Sequence, residues 1–264
     1  MGDRHMKSSR LVRAPLRFVV LSIALLLPPG AAFAGEKLSG TNIDKRTTVA
    51  FRASDAVVGK LIPKGWISNP IAAGPLKGAN VTVVLIDSYF ASDADEKPRP
   101  PFSGFVLALP ARKLETEIAG NLIIFGITTR EQSPGAYGVY VAGKTAIERS
   151  SKLANGEMII RENWQLSSDD GNELRVDLQF KRSLASRSKT DARTRSGTYP
   201  DYYRIYRVDQ ATEVVRSAAE EVNRAETFMY RATGPRLAEI FDGTEQLVGI
   251  ISTPVYSRAV SLPD

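Results

Sequence analysis

The feature that most constrains the fold is a two-residue alternation of apolar and polar side chains, which recurs in short segments along residues 80–262. β-branched and aromatic residues are frequent in these segments, and turn-forming residues separate them. The pattern predicts ten strands: Asn80–Tyr89, Phe102–Leu109, Leu122–Thr129, Ala136–Ala142, Glu157–Leu166, Glu173–Phe180, Tyr202–Val208, Arg224–Ala232, Gln246–Ile251 and Val255–Leu262. We therefore expect a mainly β (α+β) fold with a large antiparallel sheet or barrel and few short helices.

Helical patterns are scarce. Residues Ser54–Ile62 begin with a capping residue, carry apolar side chains on one side and stop before Pro63, which predicts a short helix. A second short helix is predicted over Arg236–Phe241, whereas the pattern of Gln210–Glu221 fits a helix or a strand. No internal repeat or linker divides residues 35–264, so we expect a single domain there.

Residues 1–34 resemble a secretory leader. Basic residues precede an apolar run from Phe18 to Leu27, and the motif Ala32-Phe33-Ala34 follows it. The run is shorter than the roughly 20 residues needed to span a bilayer, so we expect cleavage after Ala34 and no stable membrane insertion afterwards. An uncleaved membrane anchor is the alternative, and residues 1–6 have the character of a cloning tag. The expected location is periplasmic or secreted.

The net charge argues against a nucleic-acid partner. Residues 1–34 hold five of the 35 basic residues and one of the 29 acidic residues, so the remaining chain has a net charge of +2. The basic cluster in residues 182–195 has no interleaved aromatic residues and is interpreted as a mobile loop. We therefore expect no nucleic-acid binding.

The chain has no cysteine, and its single histidine, His5, lies within the leader. Histidine and thiolate ligands for zinc, copper or haem are therefore missing, and so are a Ser-His-Asp triad and a cysteine nucleophile. We expect no metal and no cofactor. Any catalysis must use lysine, carboxylate, arginine, tyrosine or hydroxyl groups.

The order of several segments resembles the acetoacetate decarboxylase-like superfamily. The opening run extends from Val49 to Tyr89, and the later segments are FVLALP, YPDYYRIYRV and VYSRAVSLP. In that family a strand leads into a short helix that ends in a leucine-proline-x-glycine turn, and a long strand closes with an aspartate. The resemblance covers most of residues 48–263 and implies the corresponding fold. Self-association is compatible with it.

The resemblance also implies candidate catalytic residues. Family decarboxylases form a Schiff base through a lysine whose pKa is lowered by burial and by an adjacent lysine. Lys144 matches the first lysine, but Thr145 replaces the second, and the family's pocket glutamate falls at Gly104. Burial alone can shift the pKa of a lysine by several units, so imine chemistry at Lys144 stays open beside a surface position.

Five further positions are candidates for the site. Glu148 and Glu162 are replacement acids, although their alternation with apolar neighbours also fits an exposed strand face. Arg130, followed by Glu131, could clamp a carboxylate with its guanidinium group or form a surface ion pair. Tyr202 and Tyr206 share one face of a predicted strand with Arg204, and that face either lines a pocket or packs in the sheet.

Two functions are consistent with the sequence. One is a binding protein with a pocket for a small oxo acid or an apolar carboxylate, without true acetoacetate decarboxylase activity. The other is a Schiff-base lyase of the decarboxylase, aldolase or dehydratase type, which requires Lys144 at the bottom of a closed apolar cavity. The changes at Gly104 and Thr145 favour the first. A weaker third alternative is an interaction module that uses its strand edges.

Overall fold

The computed structural model describes residues 36–129 and 133–263, and in this part of the chain the protein is mainly β, as predicted. Fourteen strands form one mixed sheet, and a single α-helix accompanies them among the described residues. The elements are β1 (Glu36–Arg52), α1 (Asp55–Leu61), β2 (Trp66–Ser68), β3 (Val81–Asp93), β4 (Pro98–Arg99), β5 (Ser103–Lys113), β6 (Ala119–Thr128), β7 (Tyr140–Ala154), β8 (Glu157–Ser168), β9 (Glu173–Lys181), β10 (Ser186–Ser196), β11 (Tyr203–Ser217), β12 (Val222–Asn223), β13 (Ala225–Thr233) and β14 (Gln246–Pro263).

Seven of these strands close into a ring. Their order is β6, β10, β11, β14, β1, β3 and β5, and β5 pairs back onto β6. The pairs are antiparallel except for β6 with β10, which run parallel where residues 121–123 meet residues 194–196. Because the ring is closed, alternate residues of each strand face either its interior or its outer surface.

The remaining long strands form a four-stranded layer in the order β7, β8, β9 and β13, which is antiparallel throughout. A short parallel pairing of β7 with β6 joins it to the ring. The layer packs on the outer surface of the ring, where Val83 and Leu85 of β3 share a hydrophobic core with Trp164 of β8. The intervening Val84 and Ile86 point into the ring. The ring wall therefore has a packed outer side and an open inner side.

Helix α1 forms where the sequence predicts it. The Ser54 hydroxyl caps the helix by accepting a hydrogen bond from the Val57 amide at 3.3 Å, and Val58 is buried against the main core. The second predicted helix, over residues 236–241, is wrong, because this segment forms turns that the Asn172 side chain holds by accepting two backbone N–H groups. No helix in the described ranges is long and apolar enough to cross a membrane. The predicted leader, residues 1–34, lies outside those ranges.

The interpretation of residues 182–195 as a mobile loop is wrong, because most of this segment is strand β10. It pairs with β11 from Ser186 opposite Thr212 to Arg195 opposite Tyr203. Most of its charged side chains, such as Arg187 and Arg193, are exposed, although Arg195 is buried, and Ala192 faces the ring interior. Backbone pairing with β11 thus keeps this segment a strand, although its sequence shows no alternation of apolar residues. The two strands predicted over residues 246–262 are likewise one continuous strand, β14, and Gln210–Ser217 continues β11.

Candidate functional site: a cavity lined by arginine and tyrosine

The interior of the ring contains a cavity of about 610 Å³. Its walls come from β3, β5, β6, β10, β11 and β14, and residues 133–137 border it. One part of the wall is apolar, with Val84, Ile86, Val106 and Ile123. A volume of this size suits a small organic molecule.

Four tyrosines contribute the polar part of the wall: Tyr137, Tyr140, Tyr206 and Tyr256. The hydroxyl groups of Tyr137 and Tyr206 are hydrogen-bonded to each other. Burial raises the pKa of Tyr140, and burial together with the neighbouring Tyr206 raises the pKa of Tyr137. These phenols therefore stay protonated at neutral pH and can donate hydrogen bonds to an oxygen in the cavity.

Three arginines face the same space, and each packs on an aromatic ring. The guanidinium carbon of Arg46 lies 3.5 Å from the ring centroid of Tyr256, and that of Arg258 lies 4.2 Å from the centroid of Tyr206. Arg204 lies farther from its ring, with 6.0 Å between its guanidinium carbon and the centroid of Tyr137. Stacking on aromatic faces holds the guanidinium groups in fixed orientations.

A short polar chain on β1 positions two of these arginines. The Asp44 carboxylate accepts hydrogen bonds from Asn42 at 2.6 Å and from the Arg46 Nη2 at 2.5 Å. The Asn42 Oδ1 accepts from the Nε of Arg258 at 2.6 Å, and Arg258 lies directly opposite Asn42 on β14. Register shifts in β1 between residues 43 and 46 accompany this arrangement. Asn42, Asp44 and Arg46 thus form an alternating polar stripe inside the ring.

The cavity carries an excess of positive charge. Asp44 forms an ion pair with Arg46, whereas no carboxylate within the described residues pairs with Arg204 or Arg258. Burial alone would lower the pKa of Arg258, but the neighbouring Tyr206, Tyr256 and Asp44 raise it above its ordinary value. The guanidinium groups are therefore charged and available to an anion.

Solved structures with similar folds were found by comparison of the whole chain. An acetoacetate decarboxylase-like enzyme from Sphingomonas wittichii RW1 superposes with a TM-score of 0.55 and 13% identity, over 91% of this chain and 98% of that one. The chain has an acetoacetate decarboxylase-like fold. The enduracididine biosynthesis enzyme MppR with bound HEPES buffer gives a TM-score of 0.53 and 12% identity over 86% of both chains. MppR complexed with pyruvate gives 0.50 and 11%, over 95% of this chain and 96% of that one. The sequence matches no family model and no curated protein.

Within the acetoacetate decarboxylase-like fold, Lys144 does not reach the cavity. It lies on β7 and is exposed, as is Glu148 on the same strand. The described residues that line the cavity include no lysine. The location of Lys144 thus fails the requirement of the Schiff-base hypothesis for an amine buried at the bottom of a closed cavity.

The tyrosines predicted as binding residues lie in or beside the cavity. Tyr206 lines it, and so does Arg204 on the same face of β11. Tyr202 precedes β11 and accepts a hydrogen bond from the Nε of Arg204 at 3.1 Å. Its ring packs edge-on against Tyr137, so Tyr202 supports the wall without lining it. Arg130 and Glu131 lie outside the described residues.

Glu162 is buried at a different place, between the ring and the four-stranded layer. Its carboxylate forms an ion pair with Lys45 and accepts hydrogen bonds from Thr47 at 2.8 Å and from the Trp164 indole at 3.0 Å. Burial opposes ionisation, but Lys45 and these donors lower the pKa of Glu162 below its ordinary value. Glu162 does not line the cavity, so it cannot contact a ligand there, and its contacts stabilise the packing of the layer on the ring.

Gly104, which the sequence resemblance aligns with the pocket glutamate of the acetoacetate decarboxylase-like family, lines the cavity. A Cβ atom added at this glycine would lie 2.2 Å from the carbonyl oxygen of Ile127 on the paired strand β6. That oxygen belongs to the backbone and cannot move without displacing the strand. Here a side chain at residue 104 is therefore sterically excluded.

We expect the Gly104→Ala substitution to lower the free energy of unfolding by about 1–3 kcal/mol, the range of overpacked sites. Chemical denaturation measures this loss. The matched control is Gly59→Ala in helix α1, because a Cβ atom added at Gly59 contacts nothing within 4 Å. That control should be neutral or stabilising, and an equal effect of the two substitutions would contradict the steric explanation.

The sequence reasoning missed Arg46, Asp44, Arg258 and Tyr137. Arg46 precedes the first predicted strand, and charged residues on predicted strands such as that of Arg258 are usually exposed, so neither residue gave a sign of an interior position. A signal was present in Asn42, Asp44 and Arg46, whose two-residue spacing places three polar groups on one strand face. In the described ranges no three His, Cys, Asp or Glu side chains are grouped to hold a metal ion.

Proposed function

We propose that this protein is an exported binding protein that holds a small oxo acid or apolar carboxylate non-covalently in the cavity of the ring. The observation that carries the proposal is the pair of guanidinium groups, Arg204 and Arg258, that face a tyrosine-lined cavity without a carboxylate partner among the described residues. Such groups bind carboxylates through charge-assisted hydrogen bonds. The acetoacetate decarboxylase-like fold supports a small-molecule cavity at this place.

A carboxylate placed at Arg258 finds its binding groups already oriented. The Nε of Arg258 is fixed by Asn42, and the guanidinium group packs on the ring of Tyr206 while the residue lines the cavity. Tyr137 and Tyr206 share one hydroxyl proton between them, and the other proton of the pair can be donated to a carboxylate or ketone oxygen nearby. The hydrocarbon part of the ligand then contacts Val106 and Ile123 in the apolar wall. These side chains are already held in place, so ligand binding requires little further ordering of them.

The Schiff-base alternative lacks a lysine at the site. The fold alone favours it, since the similar structures include an acetoacetate decarboxylase-like enzyme. Imine formation needs an unprotonated amine in contact with the ketone carbon. The exposed position of Lys144 offers neither burial nor contact with the cavity. We therefore propose binding without covalent chemistry.

Calorimetric titration of the protein with pyruvate and with butyrate tests this function. We expect both acids to bind, and we expect Lys144→Ala to leave each dissociation constant within about twofold of the original value, because Lys144 is exposed and outside the cavity. A loss of pyruvate binding in Lys144→Ala with butyrate binding retained would support imine formation instead. No binding of either acid to the unaltered protein would contradict the proposed function.

The export part of the proposal rests on the leader-like sequence in residues 1–34. Expression in a Gram-negative host with fractionation and N-terminal sequencing tests it. We expect the periplasmic protein to begin at Gly35. A chain that keeps residues 1–34 and sediments with membranes would favour the uncleaved anchor.

A further inference from the structure

The interior of the ring contains more positive than negative charge. Arg46, Arg204 and Arg258 face the cavity, whereas the adjacent carboxylate, Asp44, is already paired with Arg46. Arg99 also borders the cavity but is exposed on β4, where water compensates its charge. Two guanidinium groups therefore remain without a carboxylate partner among the described residues.

Each of these two groups is held at its Nε atom. The Nε of Arg204 donates to the Tyr202 hydroxyl at 3.1 Å, and the Nε of Arg258 donates to Asn42 at 2.6 Å. Within the described residues no hydrogen-bond acceptor is found for the terminal nitrogens of either side chain. The Nε atom of each guanidinium group is thus held by a hydrogen bond, and its terminal nitrogens are left for a ligand.

The two groups also occupy different places in the wall. Arg204 lies over the ring of Tyr137, and Arg258 lies over the ring of Tyr206. The hydroxyl groups of these two tyrosines meet in a hydrogen bond. The strand register separates the two cations along the wall, because Arg258 lies opposite Val208 of β11, four residues from Arg204, and Tyr206 lies between them.

Charge balance decides which ligand fits best. A partly buried cation without a counterion is unfavourable, because it loses hydration and gains no partner. A monocarboxylate compensates one arginine and leaves the other. We infer that the preferred ligand is a short dicarboxylate, with one carboxylate at Arg258, the other at Arg204 and the free proton of the Tyr137–Tyr206 hydroxyl pair donated to the ligand between them. This inference rests on the proposed function and names the ligand class for the same site.

The experiment compares succinate with monomethyl succinate, which has nearly the same shape but one negative charge. Both are titrated by calorimetry at pH 7.5 and constant ionic strength. We expect succinate to bind at least about tenfold more tightly, which corresponds to one additional charge-assisted hydrogen-bonded pair. Arg204→Gln should reduce this preference to within about twofold, whereas Arg187→Gln, at an exposed ion pair on β10, should retain it.

The outcomes separate this inference from the proposed function. Equal affinities for succinate and monomethyl succinate would overturn the dicarboxylate assignment and leave carboxylate binding intact, whereas no binding of either would overturn both. Tighter binding of inorganic phosphate than of succinate would overturn the assignment in favour of a single dianionic group. Arg204→Gln without ligand should unfold close to the temperature of the unaltered protein, because the described residues give its guanidinium group one hydrogen bond, to Tyr202. A lower unfolding temperature together with lost binding would give Arg204 a structural role and overturn its assignment.

Discussion

Replacement of Glu162 by alanine is expected to lower the free energy of unfolding by about 3–5 kcal/mol, the range observed when one partner of a buried ion pair is removed. Glu162 is fully buried, and Lys45 is 8% exposed. Without the carboxylate, the Lys45 ammonium group stays between the ring and the four-stranded layer with no counterion in direct contact. The same change leaves the Thr47 hydroxyl and the Trp164 indole without their acceptor. Urea denaturation followed by tryptophan fluorescence measures the loss.

Two further variants make this expectation specific. The double variant Lys45→Met/Glu162→Leu removes both charges, so it should recover the part of the loss that comes from the unpaired Lys45 ammonium group, but not the part that comes from Thr47 and Trp164. Glu148→Ala changes an exposed glutamate on β7 and should alter the free energy of unfolding by less than about 0.5 kcal/mol. If Glu162→Ala were as mild as Glu148→Ala, the contact between ring and layer would not depend on this ion pair.

The second large effect concerns ligand affinity. We expect Arg258→Gln to weaken carboxylate binding at least about 100-fold, since removing one partner of a buried, hydrogen-bonded charge pair changes binding by about 2–5 kcal/mol. Glutamine retains polarity and approximate length but loses the charge and the guanidinium fork. It also loses the contact with Asn42 that fixes the side chain in the cavity wall. Calorimetric titration with butyrate measures the change.

The control for this variant is Arg187→Gln, which removes an exposed arginine far from the cavity lining and should bind butyrate normally. Thermal unfolding of both variants checks that the ring is intact. Unchanged affinity in a folded Arg258→Gln protein would exclude Arg258 as the carboxylate site. If the affinity falls only because dissociation is faster, the result agrees with a buried contact, since charges at the rim of a site act mainly on the association rate.

Three strands of the outer layer, β8, β9 and β13, could be predicted because one face of that layer is packed and the other is exposed, whereas only the first residues of β7 fall in a predicted strand. In β9, Leu174, Val176 and Leu178 are buried while the intervening residues are less so, and this gives the two-residue alternation directly. Strands β1 and β10 were harder to predict, because their inward faces line a cavity and carry polar residues. A polar residue facing inward cannot be distinguished by pattern from one facing solvent. The closure of the ring through β5 and β6 is a tertiary contact that local patterns do not specify.

The candidate site shows the same limit. The alternation of Tyr202, Arg204 and Tyr206 identified a strand face that the structure places at the cavity. Lys144 was selected by its match to a lysine of the resembling family, and such a match does not specify which face of a strand a residue occupies. In the structure Lys144 lies on the exposed face of β7. Arg46 and Arg258 come together only because β1 and β14 pair inside a closed ring.

The measurement that tests the central claim most directly is borohydride reduction of the protein in the presence of saturating pyruvate, followed by intact and peptide mass spectrometry. Calorimetry on the same sample establishes that the site is occupied. We predict that pyruvate binds and that reduction adds no covalent mass to any lysine, because the described cavity lining contains arginines and tyrosines but no lysine. A reduced adduct that maps to a lysine and disappears when that residue is replaced would contradict non-covalent binding and establish imine chemistry.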